Sequence, residues 1–354
     1  MSRVISVGTA DVPYKFNQYE VKEFARELFT DNENYINRML GVFDNSLIET
    51  RHFVHPRSWF DTPKNFVERS QSFLENSIQL SISAIKDCLE KADADLNDID
   101  HIIFVTSTGI STPSLDAHLI NELKIDTHIK RTPIWGLGCV GGAVGLTRAM
   151  EYTMAFPQSA VLVIALEICS HAFHREDYSK SNIVSLALFS DGAAASIVSG
   201  NEHRLSKSSN INLIDSLSTT YYDSLGVMGW DIVDDGFKAI FSKDIPTIVR
   251  KEVKSNIEEL LSANNVSISD LKQFAVHPGG AKVLMEYEGS LGLPQGTFRH
   301  SRKVLKEHGN MSSPTVLYVL KEIMDEKDFK KGEYGIISAL GPGFSSEIIL
   351  FEIV

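Results

Sequence analysis

The segment Trp135–Arg148 has the sequence WGLGCVGGAVGLTR, and it decides how the rest of the chain is interpreted. It places Cys139 among five glycines, and no polar residue occurs from Val140 to Leu146. A helix without polar residues on any side is buried, and glycines allow neighbouring backbones to approach it closely. The segment therefore predicts a buried helix that begins at Cys139.

Cys139 is a candidate nucleophile because of this predicted place at a helix start. The positive end of a helix dipole favours the thiolate, which is the reactive form of cysteine. The competing interpretation is a packed core cysteine in a close helix contact.

Cys88 lies in the apolar stripe of another predicted helix, where we expect a structural role. Cys169 follows a predicted strand without a glycine turn, so we expect it to line a pocket or the core.

Length, composition and charge exclude several classes of protein. With 354 residues, 43% of them hydrophobic, the chain should form about two domains and bury a large core. Its net charge of −12 argues against nucleic acid and anionic membranes as partners. Three cysteines are too few for a disulfide framework or a four-thiolate zinc site. We expect a cytoplasmic protein without a membrane span, because the longest apolar run, Ala160–Leu166, is short and no signal-peptide core is evident.

Strand and helix signals alternate along the chain. Short apolar runs rich in β-branched residues predict strands at Arg3–Val7, His101–Thr106, Ala160–Leu166, Ala193–Val198, Gln273–His277, Tyr334–Leu340 and Glu347–Val354. Helical periodicity, such as that of Val249, Val253 and Ile257, fills the intervals. The pattern predicts an α/β fold whose sheets are largely parallel and covered by helices on both faces.

A weak internal repeat divides the chain. A strand with a polar turn, a glycine-flanked polar residue before an apolar helix, and a second strand recur about 170 residues later. The repeat pairs Cys139 with Asn310, although any α/β chain offers some matches of this kind. The polar segment Gly200–Asn212 is the best candidate for a boundary. We predict an N-terminal half, residues 1–205, that carries the cysteine, and a C-terminal half, residues 206–354.

Two polar residues of the second half are candidate partners for Cys139. His277 lies in FAVHPGGAK, at the end of a predicted strand, where functional groups gather in parallel sheets. An ordinary hydrogen-bonded histidine is the alternative. Asn310 precedes the apolar helix of GNMSSPTVLYVL, either as a helix N-cap or with its amide in the same cleft as Cys139. The internal repeat favours the second interpretation, in which the Asn310 amide lies in the cleft with Cys139.

These motifs carry a family resemblance. WGLGCVGG, VHPGG, GNMSSPTVLYVL and the closing GPGFSSE together resemble the type III polyketide synthases, the chalcone synthase-like branch of the thiolase superfamily. The resemblance covers nearly the whole chain. It implies a thiolase-like α/β fold, in which two pseudo-symmetric halves are stacked as five αβαβα layers. It also implies a homodimeric acyltransferase that uses coenzyme A thioesters as substrates and needs no metal or other cofactor.

The resemblance implies a catalytic triad of Cys139, His277 and Asn310. Cys139 would accept an acyl group from an acyl-CoA starter, with His277 paired to its thiolate. Malonyl-CoA would then lose carbon dioxide, and His277 and Asn310 would donate hydrogen bonds to the resulting enolate oxygen.

Departures from the plant-type pattern concern the substrate pocket. Under the resemblance, a gatekeeper phenylalanine matches Phe189, and a second pocket phenylalanine is replaced by Ala239. Two pocket threonines are replaced by Cys169 and Ala172, and the residue that crosses into the partner subunit is Thr112. Apolar cavities bind apolar ligands, so the missing ring predicts space for an aliphatic starter. The pattern is similar to that of the bacterial branch whose products are alkylpyrones or alkylresorcinols.

Coenzyme A requires local cations on this acidic chain. Arg38 matches a family arginine that meets the CoA phosphates, while two nearby family lysines are absent. Lys282 and Arg302 are candidate replacements, because lysine and arginine are natural phosphate partners. A solvated helix face is the competing interpretation for Arg302.

The favoured function is a type III polyketide synthase that extends an acyl-CoA starter, expected to be a fatty acyl-CoA, iteratively with malonyl-CoA. One alternative is a single condensation of the ketoacyl-acyl carrier protein synthase III type. The other is a catalytically silent acyl-binding protein on the same fold. The SSP sequence after Asn310 favours the polyketide synthase over the first, and the retained triad argues against the second.

Overall fold

The computed structural model describes residues 1–29, 33–242 and 245–354, without the side chains of residues 33 and 34. In these ranges the strands are β1 (Ser2–Thr9), β2 (Tyr14–Asn17), β3 (Thr50–Phe53), β4 (His101–Thr106), β5 (Lys130–Trp135), β6 (Ala160–Ile168), β7 (Asp191–Gly200), β8 (Ile211–Thr220), β9 (Met228–Val233), β10 (Gly236–Phe241), β11 (Leu271–Val276), β12 (Tyr334–Gly341) and β13 (Ser345–Ile353). The helices are α1 (Gln18–Leu28), α2 (Glu33–Met39), α3 (Gly41–Asp44), α4 (Phe66–Ala92), α5 (Leu115–Leu123), α6 (Gly141–Ala155), α7 (Lys180–Leu188), α8 (Ile245–Ala263), α9 (Ala281–Ser290), α10 (Arg299–His308) and α11 (Thr315–Glu326).

Nine of these strands form one mixed sheet in the order β11-β12-β13-β8-β1-β7-β6-β4-β5. Only β4 with β5, β4 with β6, and β11 with β12 pair in parallel among the described strands; the remaining pairs of this sheet are antiparallel. The expectation of largely parallel sheets is therefore wrong. One cause is local: β13 follows β12 after a three-residue turn, residues 342–344, and so short a connection can only return a strand antiparallel.

Alternate residues of one strand face different helix layers. In β4, Ile103 and Val105 pack in a central cluster with residues of α6 and α11. Ile102 and Phe104 face the other way, into a cluster with residues of α4 and α5. This alternation is the two-residue period of a strand that is buried on both faces, and it explains why the run has no polar side.

The second half repeats this arrangement. Ile337 and Ala339 of β12 join the central cluster, whereas Ile336 and Leu340 join an outer cluster with α8 and α9. The β4 end and the β12 end of the nine-stranded sheet thus lie on opposite sides of α6 and α11, and the order of layers is α4/α5, first half of the sheet, α6/α11, second half of the sheet, α8/α9. The predicted five-layer thiolase-like fold with two pseudo-symmetric halves is confirmed.

Two local predictions can be compared with this fold. Cys88 is fully buried in α4, with its Sγ 3.1 Å from Ser6 Oγ, as expected for a structural cysteine. The predicted boundary between residues 205 and 206 falls inside a short 3-10 helix, Arg204–Ser208, that joins β7 to β8. That boundary stays a prediction. Within the described ranges, no helix has the length and apolar composition required to cross a membrane.

Candidate active site

Cys139 lies in a 3-10 turn, Gly138–Val140, directly before α6. The predicted helix start is therefore displaced by two residues. Gly142 explains the close approach of α6 to the second half, because a Cβ there would lie 2.2 Å from the Ser313 carbonyl oxygen. At Gly138 the backbone has φ +51°, and a Cβ would lie 2.7 Å from the Pro342 ring. Gly142 thus allows α6 to pack against the segment that contains Asn310, and Gly138 allows the Cys139 turn to pack against Pro342.

Asn310 is held by backbone and side-chain hydrogen bonds. Its N–H donates to the Leu188 carbonyl at 2.9 Å, and its own carbonyl accepts from Ser190 N–H at 2.9 Å. Its Oδ1 accepts from Ser312 N–H at 2.8 Å, and its Nδ2 donates to the Gly279 carbonyl at 3.2 Å. These bonds leave one side-chain N–H for a ligand.

Asn310 is not the N-cap of the apolar helix. That helix, α11, begins at Thr315, and Pro314 occupies the cap position. The N-cap interpretation is therefore wrong, and the place of the amide in the cleft stays a prediction.

His277 follows β11 directly and is buried. Among the described residues, neither of its ring nitrogens has a hydrogen-bond partner. The ring faces Gly279, where a Cβ would be 3.8 Å from Nε2, and the Gly279 carbonyl accepts from Asn310. Asn310 and Ser312 lie close enough to the Cys139 thiol for hydrogen bonding from their side chains to favour its ionised form. A chain of contacts thus joins the predicted cysteine, asparagine and histidine.

Burial favours the neutral forms of both Cys139 and His277. It raises the pKa of the Cys139 thiol to about 12, and the Glu167 carboxylate acts in the same direction, whereas hydrogen bonds with Ser312 and Asn310 oppose it. Burial lowers the pKa of His277 to about 3. The dipole argument for a resting thiolate is outweighed here by loss of solvation.

Glu167 is a buried carboxylate beside the candidate site that the sequence argument did not single out. It accepts hydrogen bonds from Ser107 N–H at 2.9 Å and from Ser313 Oγ at 2.8 Å, and Thr108 Oγ1 donates at 2.8 Å. Burial raises its pKa. The available signal was a single charged residue near the end of an apolar strand, VLVIALEI.

Three of the predicted pocket residues lie together. Cys169, Phe189 and Ala239 form one buried cluster, which Trp230 and Phe241 complete. The Phe189 ring centroid is 6.0 Å from that of Trp230 and 5.6 Å from that of Phe241. Trp230 lies opposite Ala239 in the β9–β10 hairpin. The space expected at Ala239 therefore adjoins the large rings of Trp230 and Phe241. Comparison of position 239 alone with the family pattern could not reveal these neighbours.

A cavity of about 260 Å³ extends from this cluster to the surface. Cys169 and Phe189 line its buried end, whereas Tyr19 and Arg57 line its exposed end. The wall between them is mainly apolar and aromatic. Cys139, His277 and Asn310 do not line this cavity, but Phe189 at its inner end forms a β-bridge with Asn310.

Comparison with known proteins agrees with this geometry over the whole chain. The N-terminal domain of chalcone and stilbene synthases matches residues 2–202, and their C-terminal domain matches residues 214–354. The chain belongs to the chalcone and stilbene synthase family. It is thus a type III polyketide synthase, an acyltransferase-type condensing enzyme.

Relatives of this synthase include several bacterial proteins. It is 43% identical to a putative chalcone synthase of Bacillus subtilis (strain 168), over 99% of each chain. It is 30% identical to the 1,3,6,8-tetrahydroxynaphthalene synthase of Streptomyces peucetius subsp. caesius, over 99% of this chain and 92% of that one. The 3,5-dihydroxyphenylacetyl-CoA synthase of Streptomyces toyocaensis is 31% identical, over 99% and 90%.

Solved structures support the same assignment. The 1,3,6,8-tetrahydroxynaphthalene synthase of Streptomyces coelicolor A3(2), described as a bacterial type III polyketide synthase, aligns with a TM-score of 0.93 and 27% identity over 99% of each chain. The type III domain of Steely1 from Dictyostelium aligns with a TM-score of 0.93 and 26% identity, over 100% of this chain and 99% of that one.

Four of the five remaining predicted residues of the synthase lie on or near its surface, whereas Ala172 is buried. Arg38 lies in the last turn of α2 and Lys282 in the first turn of α9, and both are exposed. Arg302 donates to the buried Glu288 carboxylate at 2.7 Å, an ion pair that anchors α10. Thr112 is exposed in the segment between β4 and α5, and Ala172 is buried in the 3-10 helix of Cys169. Their contacts with CoA, the partner subunit and the starter stay predictions.

Proposed function

We propose that this synthase loads a straight-chain fatty acyl group from acyl-CoA onto Cys139 and extends it iteratively with malonyl-CoA to an alkylpyrone or alkylresorcinol. The observation that supports this choice is the apolar cavity beside Cys169 and Phe189. An aliphatic tail gains about 0.8 kcal/mol for each methylene it buries there, so several methylenes favour a fatty acyl chain over a short one.

Loading begins with a neutral Cys139 thiol and a neutral His277 imidazole. An unpartnered ring nitrogen of His277 accepts the thiol proton of Cys139 as the thioester carbonyl of the starter approaches. The sulfur attacks the carbonyl carbon, and a new carbon–sulfur bond replaces the bond to coenzyme A. The departing CoA thiolate takes the proton back from His277, so the acyl-enzyme forms with both residues neutral.

Extension uses the same groups as hydrogen-bond donors. The ring N–H of His277 and the free side-chain N–H of Asn310 face the thioester oxygen of malonyl-CoA. When the bond to the carboxylate breaks, its electron pair forms the enolate, and carbon dioxide leaves. The enolate carbon attacks the acyl-Cys139 thioester and expels the Cys139 thiolate, which leaves the grown chain on CoA. The Cys139 thiolate then attacks the thioester of this chain, releases CoA and becomes acylated again.

A panel of starters tests the proposal. Hexanoyl-CoA, dodecanoyl-CoA, hexadecanoyl-CoA and 4-coumaroyl-CoA would each be incubated with malonyl-CoA, and the products identified by mass. We expect the highest kcat/KM for the two longer aliphatic starters and products that contain two or more malonyl units. Products with one malonyl unit would support a single condensation instead. Absence of acyl mass on Cys139 with every starter would support a silent binding protein.

Two variants locate the tail. Ser185 lines the cavity, and Ala239 packs with Phe189 in the buried cluster that adjoins the cavity. We expect Ser185→Phe to lower kcat/KM for hexadecanoyl-CoA at least tenfold and to leave hexanoyl-CoA nearly unchanged. Ala239→Phe, beside the inner end, should impair every aliphatic starter. Lys180→Phe adds the same ring at an exposed position of α7 and is the control. Equal losses for long and short starters in Ser185→Phe would place the tail elsewhere.

A further inference from the structure

We propose that His174 and Asp235 are positioning residues that clamp the β9–β10 hairpin over the acyl pocket, and that the clamp is complete only when His174 carries both ring protons. The inference rests on the proposed function in one respect, that the pocket behind the hairpin holds the acyl starter. Nothing in the clamp itself depends on which starter is used.

The hairpin needs a clamp because it is a separate two-stranded sheet, apart from the nine-stranded one. An isolated hairpin is marginally stable and depends on contacts with its surroundings. Its inner face supplies Trp230, Ala239 and Phe241 to the cluster around Cys169 and Phe189. Movement of the hairpin would therefore disturb the packing around Cys169 and Phe189, which line the buried end of the cavity.

Both ring nitrogens of His174 face acceptors on the hairpin. Nδ1 is 2.8 Å from Asp235 Oδ2, and Nε2 is 3.0 Å from the Phe237 carbonyl oxygen. A neutral imidazole has one donor and one acceptor, so it can satisfy only one of these two groups. The imidazolium donates at both positions, and its bond to the carboxylate is charge-assisted.

The rest of His174 is fixed to the body of the synthase. Its N–H donates to Asn182 Oδ1 at 3.1 Å, and its carbonyl accepts from Asn182 Nδ2 at 2.7 Å. The side chain itself is buried, whereas Asp235 is half exposed at the hairpin turn. The clamp thus joins a buried, hydrogen-bonded residue of the body to the hairpin, so loss of one hydrogen bond is expected to release the hairpin rather than move His174.

The described charged groups around the clamp have both signs. Arg69 of α4 lies 3.9 Å from Asp235 Oδ2, and its backbone-directed bonds fix it to the carbonyls of His171 and Phe173. Lys238 of β10 lies 3.0 Å from Asp177, a second link between hairpin and body. The Asp235 carboxylate therefore lies near both Arg69 and the imidazolium, and Arg69 neutralises only part of the charge of the carboxylate. Among the residue types that form these links, histidine is the one whose protonation ordinarily changes near neutral pH.

The consequence is a pocket whose fit depends on pH. When the ring loses a proton, its Nδ1 lone pair faces the Asp235 carboxylate and the bond between them is lost. The hairpin then separates from the pocket, and the starter binds less tightly. The chemical step at Cys139 uses other groups, so KM for the starter should change more than kcat.

Steady-state kinetics from pH 5.5 to 8.5 with the best starter tests this in three variants. In the wild type, KM should rise about tenfold across this range, the effect of losing one charge-assisted hydrogen bond. His174→Ala should show the raised KM at every pH, with kcat changed less than threefold. Asp235→Asn should keep a low KM throughout, because the amide N–H can donate to the neutral Nδ1 while Nε2–H still binds Phe237.

Lys238→Met removes the other link and is the matched control, for which KM should keep the pH dependence of the wild type. A pH profile of Asp235→Asn that equals that of the wild type would overturn the proposal, as would a wild-type KM in His174→Ala. Thermal melting of each variant separates misfolding from loss of the clamp. If an aromatic starter proves best, the proposed starter fails, but the pH profiles still decide the clamp.

Discussion

At the scale of single residues, burial controls the chemistry of the candidate nucleophile. Cys139 is 7% exposed and His277 5%, and these low values hold the pair neutral. A helix start alone would have suggested a thiolate, since that argument assumes a solvated group. Generation of the nucleophile is therefore coupled to arrival of the thioester.

The alkylation rate of Cys139 should reflect this neutral pair. Because the pKa of Cys139 is raised to about 12, its thiolate fraction grows about tenfold for each pH unit between 6 and 9. His277, with its pKa near 3, stays neutral over that range and produces no plateau. Iodoacetamide labelling followed by mass spectrometry measures the rate. Cys139→Ala should remove the label, Cys88→Ala should not, and a rate independent of pH would indicate a resting ion pair.

Asn310 should separate loading from extension. In the proposed mechanism its amide donates to the enolate and not to the starter thioester, so Asn310→Ala should slow malonyl-CoA decarboxylation by ~10²–10³-fold, the typical effect of one lost oxyanion donor. The acyl group should still appear on Cys139. Carbon dioxide release and intact-protein mass give the two readouts. Normal decarboxylation in this variant would remove Asn310 from the mechanism.

At the scale of elements, the site depends on how closely α6 approaches the segment before α11. Gly142 sets that distance, since its absent side chain leaves room for the Ser313 carbonyl. The same segment supplies Asn310 and Ser312, which lie close to the Cys139 thiol. Helix packing and catalytic geometry are therefore one feature of this fold.

Substitution of Gly142 should damage both stability and activity. A methyl group at 2.2 Å from a carbonyl oxygen must push α6 away, and overpacking of a buried contact costs typically about 1–3 kcal/mol. We expect Gly142→Ala to lower the melting temperature and to reduce kcat for extension. Gly41→Ala, where a Cβ meets nothing within 4 Å, is the control and should behave as the wild type. An unchanged kcat in a destabilised Gly142→Ala would separate packing from catalysis.

At the scale of the whole molecule, the central helix layer belongs to both halves. Its cluster contains Ala143 and Leu146 of α6 together with Val316 and Leu320 of α11. A buried hydrogen bond also joins Thr147 of the first half to a carboxylate of β13. Neither half can bury this surface alone.

Separate halves should therefore fail to fold. Residues 1–205 and residues 206–354, expressed singly, would each expose one side of the central layer, and exposed apolar surface of that size leads to association. We expect poor dispersion of NMR signals and loss of a cooperative melting transition for both fragments. The intact chain is the control. A cooperative transition in either fragment would show that this half folds independently.

The sequence by itself determined the elements and the identity of the central residues. Apolar runs predicted seven of the thirteen described strands to within two residues, because a strand buried on both faces has a continuous apolar sequence. The partly exposed strands β2, β3, β5, β8, β9 and β10 lack such a run and were not predicted. The glycine-flanked Cys139, the strand-end His277 and Asn310 follow from local patterns and a family resemblance. Phe189, Cys169 and Ala239 were placed in one pocket, and they lie in one cluster.

Only the tertiary structure decided how these groups act on each other. Strand direction depends on connections across the sheet, so the mixed sheet was missed. Trp230, Phe241 and Glu167 gain their importance from neighbours distant in the chain, and so does the clamp between His174 and Asp235. Protonation states follow burial, which is a property of the packed core and not of a motif. Chemistry that depends on solvation and long-range contact is therefore invisible until the chain is folded.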